Sequence, residues 1–376
     1  MVCCSLFPSQ FLRSAPCDAS NFKNFNPQSS ARRLRRFKLE EFLPPFLPPD
    51  RQFSAVFPLF APFSFFILSF FILFFVSSKK SAIFAASYAD IVAFVPLLSE
   101  DVHTFRSMAI QFLESVKSIE KQFSTGEEPV LVLCSDMNAY VCKYMRSSTS
   151  AYKLVCEFIG SQMADAWQLG NPEWALVQIR QDHWAGHTIS HSISAPAIGS
   201  KWLNNVIDVT PSTLGVIEQK AAILRQLLMI ALFDFWVANE DRNANNANLL
   251  YEIAGERLIP IDYGCIFNTA TFDFPMSQLT STDTILWSDL FQHLKKSVTA
   301  AALNKMIGSL NVSFLSYVVR CSRQVKSLLH NIPARWNVPQ DTIKNKVQQL
   351  FDEAWITAVW NQFIECLNEN LGYEQA

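Results

Sequence analysis

The sequence predicts an α+β chain of two lobes, a small strand-rich one followed by a helical one, with a cleft between them. Three observations carry this. Between residues 129 and 179 the apolar residues fall in short β-rich runs around a single helical stretch. From Ser212 onward they recur mainly at helical spacing. Between these regions stands an acidic residue in a polar loop, Asp241, followed by an apolar run that delivers a second, Asp262. The chain has 376 residues, room for one large two-lobed domain or two ordinary ones.

Residues 1–107 differ in kind and are predicted as a leader outside the lobes, which take 108–205 and 206–376. The leader begins rich in Ser, Pro, Phe and Arg, with a basic cluster at Arg32, Arg33, Arg35, Arg36 and Lys38. An uncharged, Phe-dominated run follows over 55–78, interrupted by Pro58 and Pro62. Only when counted from Ala55 does it reach the roughly 20 residues that span a bilayer. It starts too far from the N-terminus for an ordinary cleaved signal peptide. As an anchor it creates a conflict. The basic cluster would stay cytoplasmic and the lobes would lie outside, whereas the chemistry below needs a cytoplasmic location. Three readings follow: an anchor of the opposite orientation, a disordered leader, or residues upstream of a true start at Met108. All three leave the lobes unchanged.

Composition narrows the classes further. A net charge of −2 argues against a general electrostatic grip on nucleic acid. The nine cysteines are odd in number and form no C-x-x-C pair, which favours reduced thiols over a disulfide framework.

Taken in order, Ile110, Leu113, Val116 and Ile119 form a stripe that predicts a short helix over 109–119. A polar, flexible piece follows from Lys121 to Glu128, with Gly126 its one glycine. The runs Pro129–Cys134 and Ala139–Tyr144 flank the turn Ser135–Asn138 and predict a hairpin. Lys143 lies in its second strand between Cys142 and Tyr144, an expensive place for an amine without a partner. Residues 151–168 predict a helix buried along Val155, Phe158, Ile159, Met163 and Ala166, with Glu157 off the centre of that stripe and free to meet Lys143. A strand is expected over 172–179, irregular chain over 180–196, and a short extended connection over 197–207. His183, His187 and His191 recur every four residues, but Gly186 and the Ser/Thr around it favour a loop over a helical metal site.

The pattern then turns helical. Ile217, Ala221, Leu224, Leu228, Ala231, Leu232 and Phe235 make one long stripe leading into the Asp241 loop. Two strand-like pieces, Asn248–Tyr251 and Leu258–Ile261, bracket a turn at Gly255 and bring in Asp262. Beyond Thr282 the chain is helical, broken at Pro333 and Pro339, with a last amphipathic helix near 340–368. The aromatic residues Trp355, Trp360 and Phe363 in that helix are core.

Asp241, with Asn246 five positions on and Asp262 in the run Ile259-Pro260-Ile261-Asp262-Tyr263-Gly264, supplies the parts that phosphoryl transfer from Mg-ATP requires. One carboxylate orients the attacking hydroxyl, while the Asn oxygen and the second carboxylate hold magnesium against the phosphates. Each residue alone has a plainer reading. Lys143 would be a strand lysine reaching solvent, Glu157 a solvated helix charge, and Asp241 with Asn246 a turn pair. Arg242 would either steady phosphates or pair with Asp234. The order of the set is what points to catalysis.

In that order the residues resemble the HipA-like kinases, bacterial relatives of the protein-kinase fold. The run FDFWVANEDRNANNANLL followed by IPIDYG is most similar to the stand-alone HipA-like proteins, and the resemblance runs from about Met108 to the C-terminus. It implies a two-lobed protein-kinase-like fold that uses ATP and Mg to phosphorylate a Ser or Thr of a protein substrate. By position, Lys143 would grip the α/β-phosphates, Glu157 would hold Lys143, and Asp241 would be the catalytic Asp. Asn246 and Asp262 would bind the metal, and Gly199–Leu203 would form the hinge that reads adenine through backbone bonds. Asn239-Glu240 stands where eukaryotic protein kinases have a histidine before the Asp. Lys121–Glu128 has one glycine where they have three, although a turn poor in glycine can still build an amide cradle. The Asp-Arg order with the later Ile-Asp-Tyr-Gly also resembles phosphoinositide 3/4-kinases. Two alternatives therefore stand beside the protein kinase: a pseudokinase that binds without turnover, and a small-molecule or lipid kinase.

Overall fold

The computed structural model describes residues 110–184 and 194–371, all within one compact unit of the chain. The leader with its apolar run 55–78, and His187 and His191, lie outside the described residues. Among the described residues no helix is long and apolar enough to cross a membrane.

The predicted hairpin forms. Strands β3 (Val130–Leu133) and β4 (Ala139–Lys143) pair antiparallel. Asp136 closes their turn, accepting from the Asn138 backbone N–H at 3.0 Å and the Tyr140 hydroxyl at 2.8 Å. The full sheet adds β1 (Phe112–Glu114), β2 (Lys121–Gln122), β5 (Trp174–Gln178) and β6 (Ala197–Lys201) in the order β1-β5-β6-β4-β3-β2. Strand alternation then sorts its side chains. Val130, Val132, Tyr140, Cys142, Ala175, Val177 and Ala197 turn to a small core on one face. Lys143, one residue on from Cys142, turns to the other. There lies helix α1 (Ser148–Trp167), capped at Ser147 and ended by Gln168 in the left-handed region.

The second lobe is helical around a small sheet, β7 (Val206–Asp208), β8 (Leu249–Glu252) and β9 (Arg257–Pro260), antiparallel in that order. Helix α2 (Ala221–Val237) is buried on every side from Ile230 to Val237, as its nearly unbroken apolar sequence dictates. Around it lie α3 (Asp289–Lys295), α4 (Ala300–Asn331), α5 (Gln340–Gln349) and α6 (Glu353–Leu371). Rings from both lobes meet at Trp167, which stacks on Trp236 at 5.4 Å and on Tyr317 at 5.1 Å.

Three expectations are corrected. The stripe at 109–119 is not a helix. Phe112 and Val116 are exposed, only Leu113 and Ser115 are buried nearby, and the segment pairs parallel with β5, Leu113 opposite Val177. An edge of an existing sheet overrides a weak helical pattern. Helix α2 starts at Ala221, so Ile217 lies outside it, after the 3-10 turn Pro211–Val216. The last helix is two, because the chain breaks after Gln349 and the freed Leu350 carbonyl accepts from Trp236 Nε1 at 2.8 Å. The stretch 197–207 is extended for much of its length, as expected, and does more than connect. Its first part, β6, lies inside the sheet, with Gly199 opposite both Cys142 and Ala175. A Cβ at Gly199 would lie 3.0 Å from Tyr140 Cβ, Cys142 Sγ and Val177 Cγ2, so the crowded face admits only glycine without a shift.

Candidate active site

Four elements converge on Lys143. It ends β4, so its ammonium leaves the sheet on the α1 side, where Glu157 waits one strand-to-helix connection away. Lys143 Nζ donates to Glu157 Oε2 at 2.9 Å and to Asp262 Oδ1 at 2.5 Å. Glu127, from the loop between β2 and β3, comes within 3.3 Å of the same nitrogen. Burial alone would lower the Lys143 pKa. The Asp262, Glu157 and Glu127 carboxylates outweigh it and hold the ammonium well above its usual range.

The two main carboxylates differ. Burial raises the Glu157 pKa, and Lys143 offsets this only in part. Glu157 Oε2 also accepts the Tyr263 backbone N–H at 2.9 Å, which ties α1 to the chain just past Asp262. Burial likewise pushes Asp262 up, but the Lys143 contact prevails and the carboxyl lies below its usual range. Asp262 has φ 65°, and its Oδ1 accepts the Gly264 N–H at 3.2 Å.

That approach of α1 needs Gly160. A Cβ there would lie 2.3 Å from Tyr263 Cβ and 2.7 Å from its Cγ. Nothing in the local sequence marks this glycine, since the contact spans a hundred residues.

Asp241 sits in the loop after α2, and its Oδ2 accepts from Asn248 Nδ2 at 2.9 Å. The amide brought to the Asp241 carboxylate is therefore that of Asn248, which directly precedes β8. Asn246, the residue singled out by spacing, is exposed. Its backbone closes a turn on Asn243, with N···O distances of 3.0 and 3.3 Å between the two residues. Asn246 and Asn248 both line a pocket of about 310 Å³ that also takes in Asp208 and Asp289. Spacing singled out Asn246, and the structure additionally brings Asn248 to Asp241. The available signal for Asn248 is its place immediately before the apolar run Leu249-Leu250.

Arg242 resolves to the structural alternative. Its guanidinium is 0% exposed, paired with Asp234 Oδ1. It also donates to the Ile261 carbonyl at 2.8 Å and to the Asn248 carbonyl at 3.4 Å. The arginine thus braces the chain on both sides of the site from behind, between Asn248 and Asp262. Glu240, next in sequence to Asp241, accepts from Asn268 Nδ2 at 2.8 Å and Thr269 Oγ1 at 2.7 Å. It thereby fixes a left-handed turn, Phe267–Ala270, that costs non-glycine residues ~1–2 kcal/mol each.

Of the predicted hinge, Gly199 belongs to β6, and Leu203 belongs to the connection from β6 to β7. Trp202 in that connection donates its N–H to the Ala139 carbonyl at 2.8 Å. His183 bonds Ser115 Oγ through Nδ1 at 2.8 Å, and among the described residues no cluster of three His, Cys, Asp or Glu forms a metal site. Asp262 and Asn248 offer hard oxygen donors, the chemistry that magnesium takes.

The HipA-like kinase family profile matches residues 116–363. No curated protein matches the chain. Among solved structures, the chain is similar to the Helicobacter pylori proinflammatory kinase CtkA, at 11% identity and a TM-score of 0.41. That alignment covers 67% of this chain and 98% of CtkA.

Proposed function

The chain belongs to the HipA-like kinase family, and we propose that it transfers the γ-phosphoryl group of Mg-ATP to a Ser or Thr hydroxyl of a protein. The observation that carries the reading is the bridge of Lys143 between Glu157 and Asp262, at 2.9 and 2.5 Å. It joins a cation suited to α/β-phosphates, the helix that positions it, and the strand end suited to the metal. Asp262 and Asn248 would hold magnesium, which supplies neutralisation of the phosphate charge when bound.

The protein's own residues do the rest. Lys143 orients the α/β-phosphates, with Glu157 keeping its ammonium in place. Asp241, fixed by the Asn248 amide, receives the acceptor hydroxyl hydrogen bond and directs its oxygen at the γ-phosphorus. A new P–O bond forms to the acceptor as the bond to the β-phosphate oxygen breaks. ADP leaves with that electron pair, and the hydroxyl proton passes to the Asp241 carboxylate. Use of ATP supports a cytoplasmic location for the lobes.

The test is to incubate the protein with γ-labelled ATP and cell lysate, then identify what becomes labelled. Label on protein Ser or Thr, absent with Lys143→Met, is the expected result. Label confined to lipid or small molecules would move the acceptor to that class. ATP binding without any labelled product would make the protein a pseudokinase.

A further inference from the structure

Three carboxylates surround two lysines in the cleft, and only two of the carboxylates have a part in the chemistry above. Glu157 and Asp262 are tied to backbone N–H groups of Tyr263 and Gly264. The third, Glu127, rests on ammonium groups. Its Oε2 lies 3.3 Å from Lys143 Nζ and its Oε1 2.9 Å from Lys153 Nζ. Lys153 lies on α1 one turn before Glu157, so both project from the same face toward the cleft. Glu127 Oε1 is also 3.5 Å from the position a Cβ would take on Gly264, beside Asp262. One anion therefore spans both cations at the mouth of the nucleotide site, each oxygen on a different lysine.

A phosphate group offers the same chemistry: neighbouring anionic oxygens, each accepting from an ammonium. We infer that Lys153 is a second phosphate-binding cation of this site, and that Glu127 holds the place of a nucleotide phosphate until Mg-ATP displaces it. The inference rests on the nucleotide-binding reading above and adds to it a residue and a competitor. The five groups carry two positive and three negative charges, so an entering polyphosphate meets a net repulsion of −1 unless Glu127 withdraws. Withdrawal is structurally cheap. The Glu127 and Lys153 side chains are 28% and 38% exposed, and the loop that bears Glu127 follows a strand of only two residues. A plain surface ion pair would contribute little to stability and nothing to nucleotide affinity, and this separates the two readings.

The experiment is calorimetric titration of the full chain with Mg-ATP and, separately, with adenosine, which lacks phosphates. Wild type is compared with Glu127→Gln, Lys153→Gln and Lys143→Met. Glu127→Gln should bind Mg-ATP about three- to tenfold more tightly, and Lys153→Gln about three- to tenfold more weakly, with adenosine affinity unchanged in both. If wild type binds Mg-ATP, Lys143→Met loses it, and Glu127→Gln or Lys153→Gln matches wild type, the inference falls and the kinase reading stands. Parallel changes for adenosine and Mg-ATP would assign both residues to loop structure and overturn the inference. If neither wild type nor Glu127→Gln binds Mg-ATP, the nucleotide reading itself fails and takes the inference with it.

Discussion

Arg242→Met should cost far more than the loss of one hydrogen bond, because it strands a charge. Asp234 is 1% exposed, and its Oδ1 is shared between Arg242 and Asn239 Nδ2, the latter at 2.9 Å. Its Oδ2 is buried with no protein partner. Without Arg242 the carboxylate keeps one amide donor in a dry site, and breaking a buried pair in this way typically costs ~3–5 kcal/mol. At about 2–4 °C per kcal/mol for a domain of this order of size, the midpoint of thermal unfolding should fall by about 6–20 °C.

The sign with pH follows. Burial raises the Asp234 pKa above the unfolded value and Arg242 draws it down only in part, so removing the arginine raises it further. A raised carboxyl favours the folded state most below the unfolded pKa and loses that contribution as pH rises through the folded one. The deficit of Arg242→Met should therefore be smaller at pH 5 than at pH 8. Replacing both partners, Asp234→Leu with Arg242→Met, should recover much of the stability, since no charge is left buried. Phosphoryl transfer should not recover, because the Ile261 and Asn248 carbonyls still lack their shared donor. Denaturant titration and initial rates of transfer measure the two effects. A loss below about 1 kcal/mol in Arg242→Met, or a double variant less stable than the sum of its singles, would refute the reasoning.

Three further outcomes are expected. Gly160→Ala should lower the melting midpoint although alanine favours helix by ~1 kcal/mol, because its Cβ would meet Tyr263 Cβ at 2.3 Å and overpacking costs ~1–3 kcal/mol; a raised midpoint would show that α1 shifts freely. In wild type, the Asp262 contribution is present above the unfolded carboxyl pKa and lost as pH falls through the lowered folded value, whereas Lys143→Met removes the main influence opposing burial and so moves the Asp262 and Glu157 pKa values upward. Acidification from neutral pH should therefore destabilise that variant less than wild type, as read by denaturant titration across pH; parallel curves would contradict it. Asp262→Asn should weaken magnesium-dependent ATP binding by calorimetry, while Asp241→Asn should keep binding and lose ~10²-fold or more in turnover; the reverse pattern would exchange their roles.

Much of the first lobe was legible because its signals are local. The Asp136–Asn138 turn sets the hairpin, and alternation puts Cys142 on the core face and Lys143 on the other, where an amine needs a carboxylate and α1 offers Glu157. What escaped depends on contacts distant in the chain. Strand β1 has three residues and exists through its parallel pairing with β5, which no local pattern encodes. Glu127, in the polar piece before the hairpin, meets Lys153 of α1 only once the first lobe folds, a contact that no local pattern marks.

The asparagines show most sharply where spacing stops. The loop after Asp241 offers Asn243, Asn245, Asn246 and Asn248, and each is a good turn residue. Register makes the choice among them. Leu249 pairs with Pro260 across β8 and β9, and the Ile261 N–H donates to the Asn248 carbonyl at 3.0 Å. Asn248 is thereby fixed beside the chain that leads from β9 to Asp262, while the Asn243 side chain is spent on the turn, its Oδ1 accepting the backbone N–H groups of Asn245 and Asn246. A substitution that distinguishes them follows directly. Asn248→Ala should cost magnesium-dependent nucleotide binding and free the Asp241 carboxylate, whereas Asn246→Ala should leave calorimetric Mg-ATP affinity within about twofold of wild type. Equal losses in both would return the metal to the five-residue spacing and show that the Asn248–Asp241 bond is only a brace.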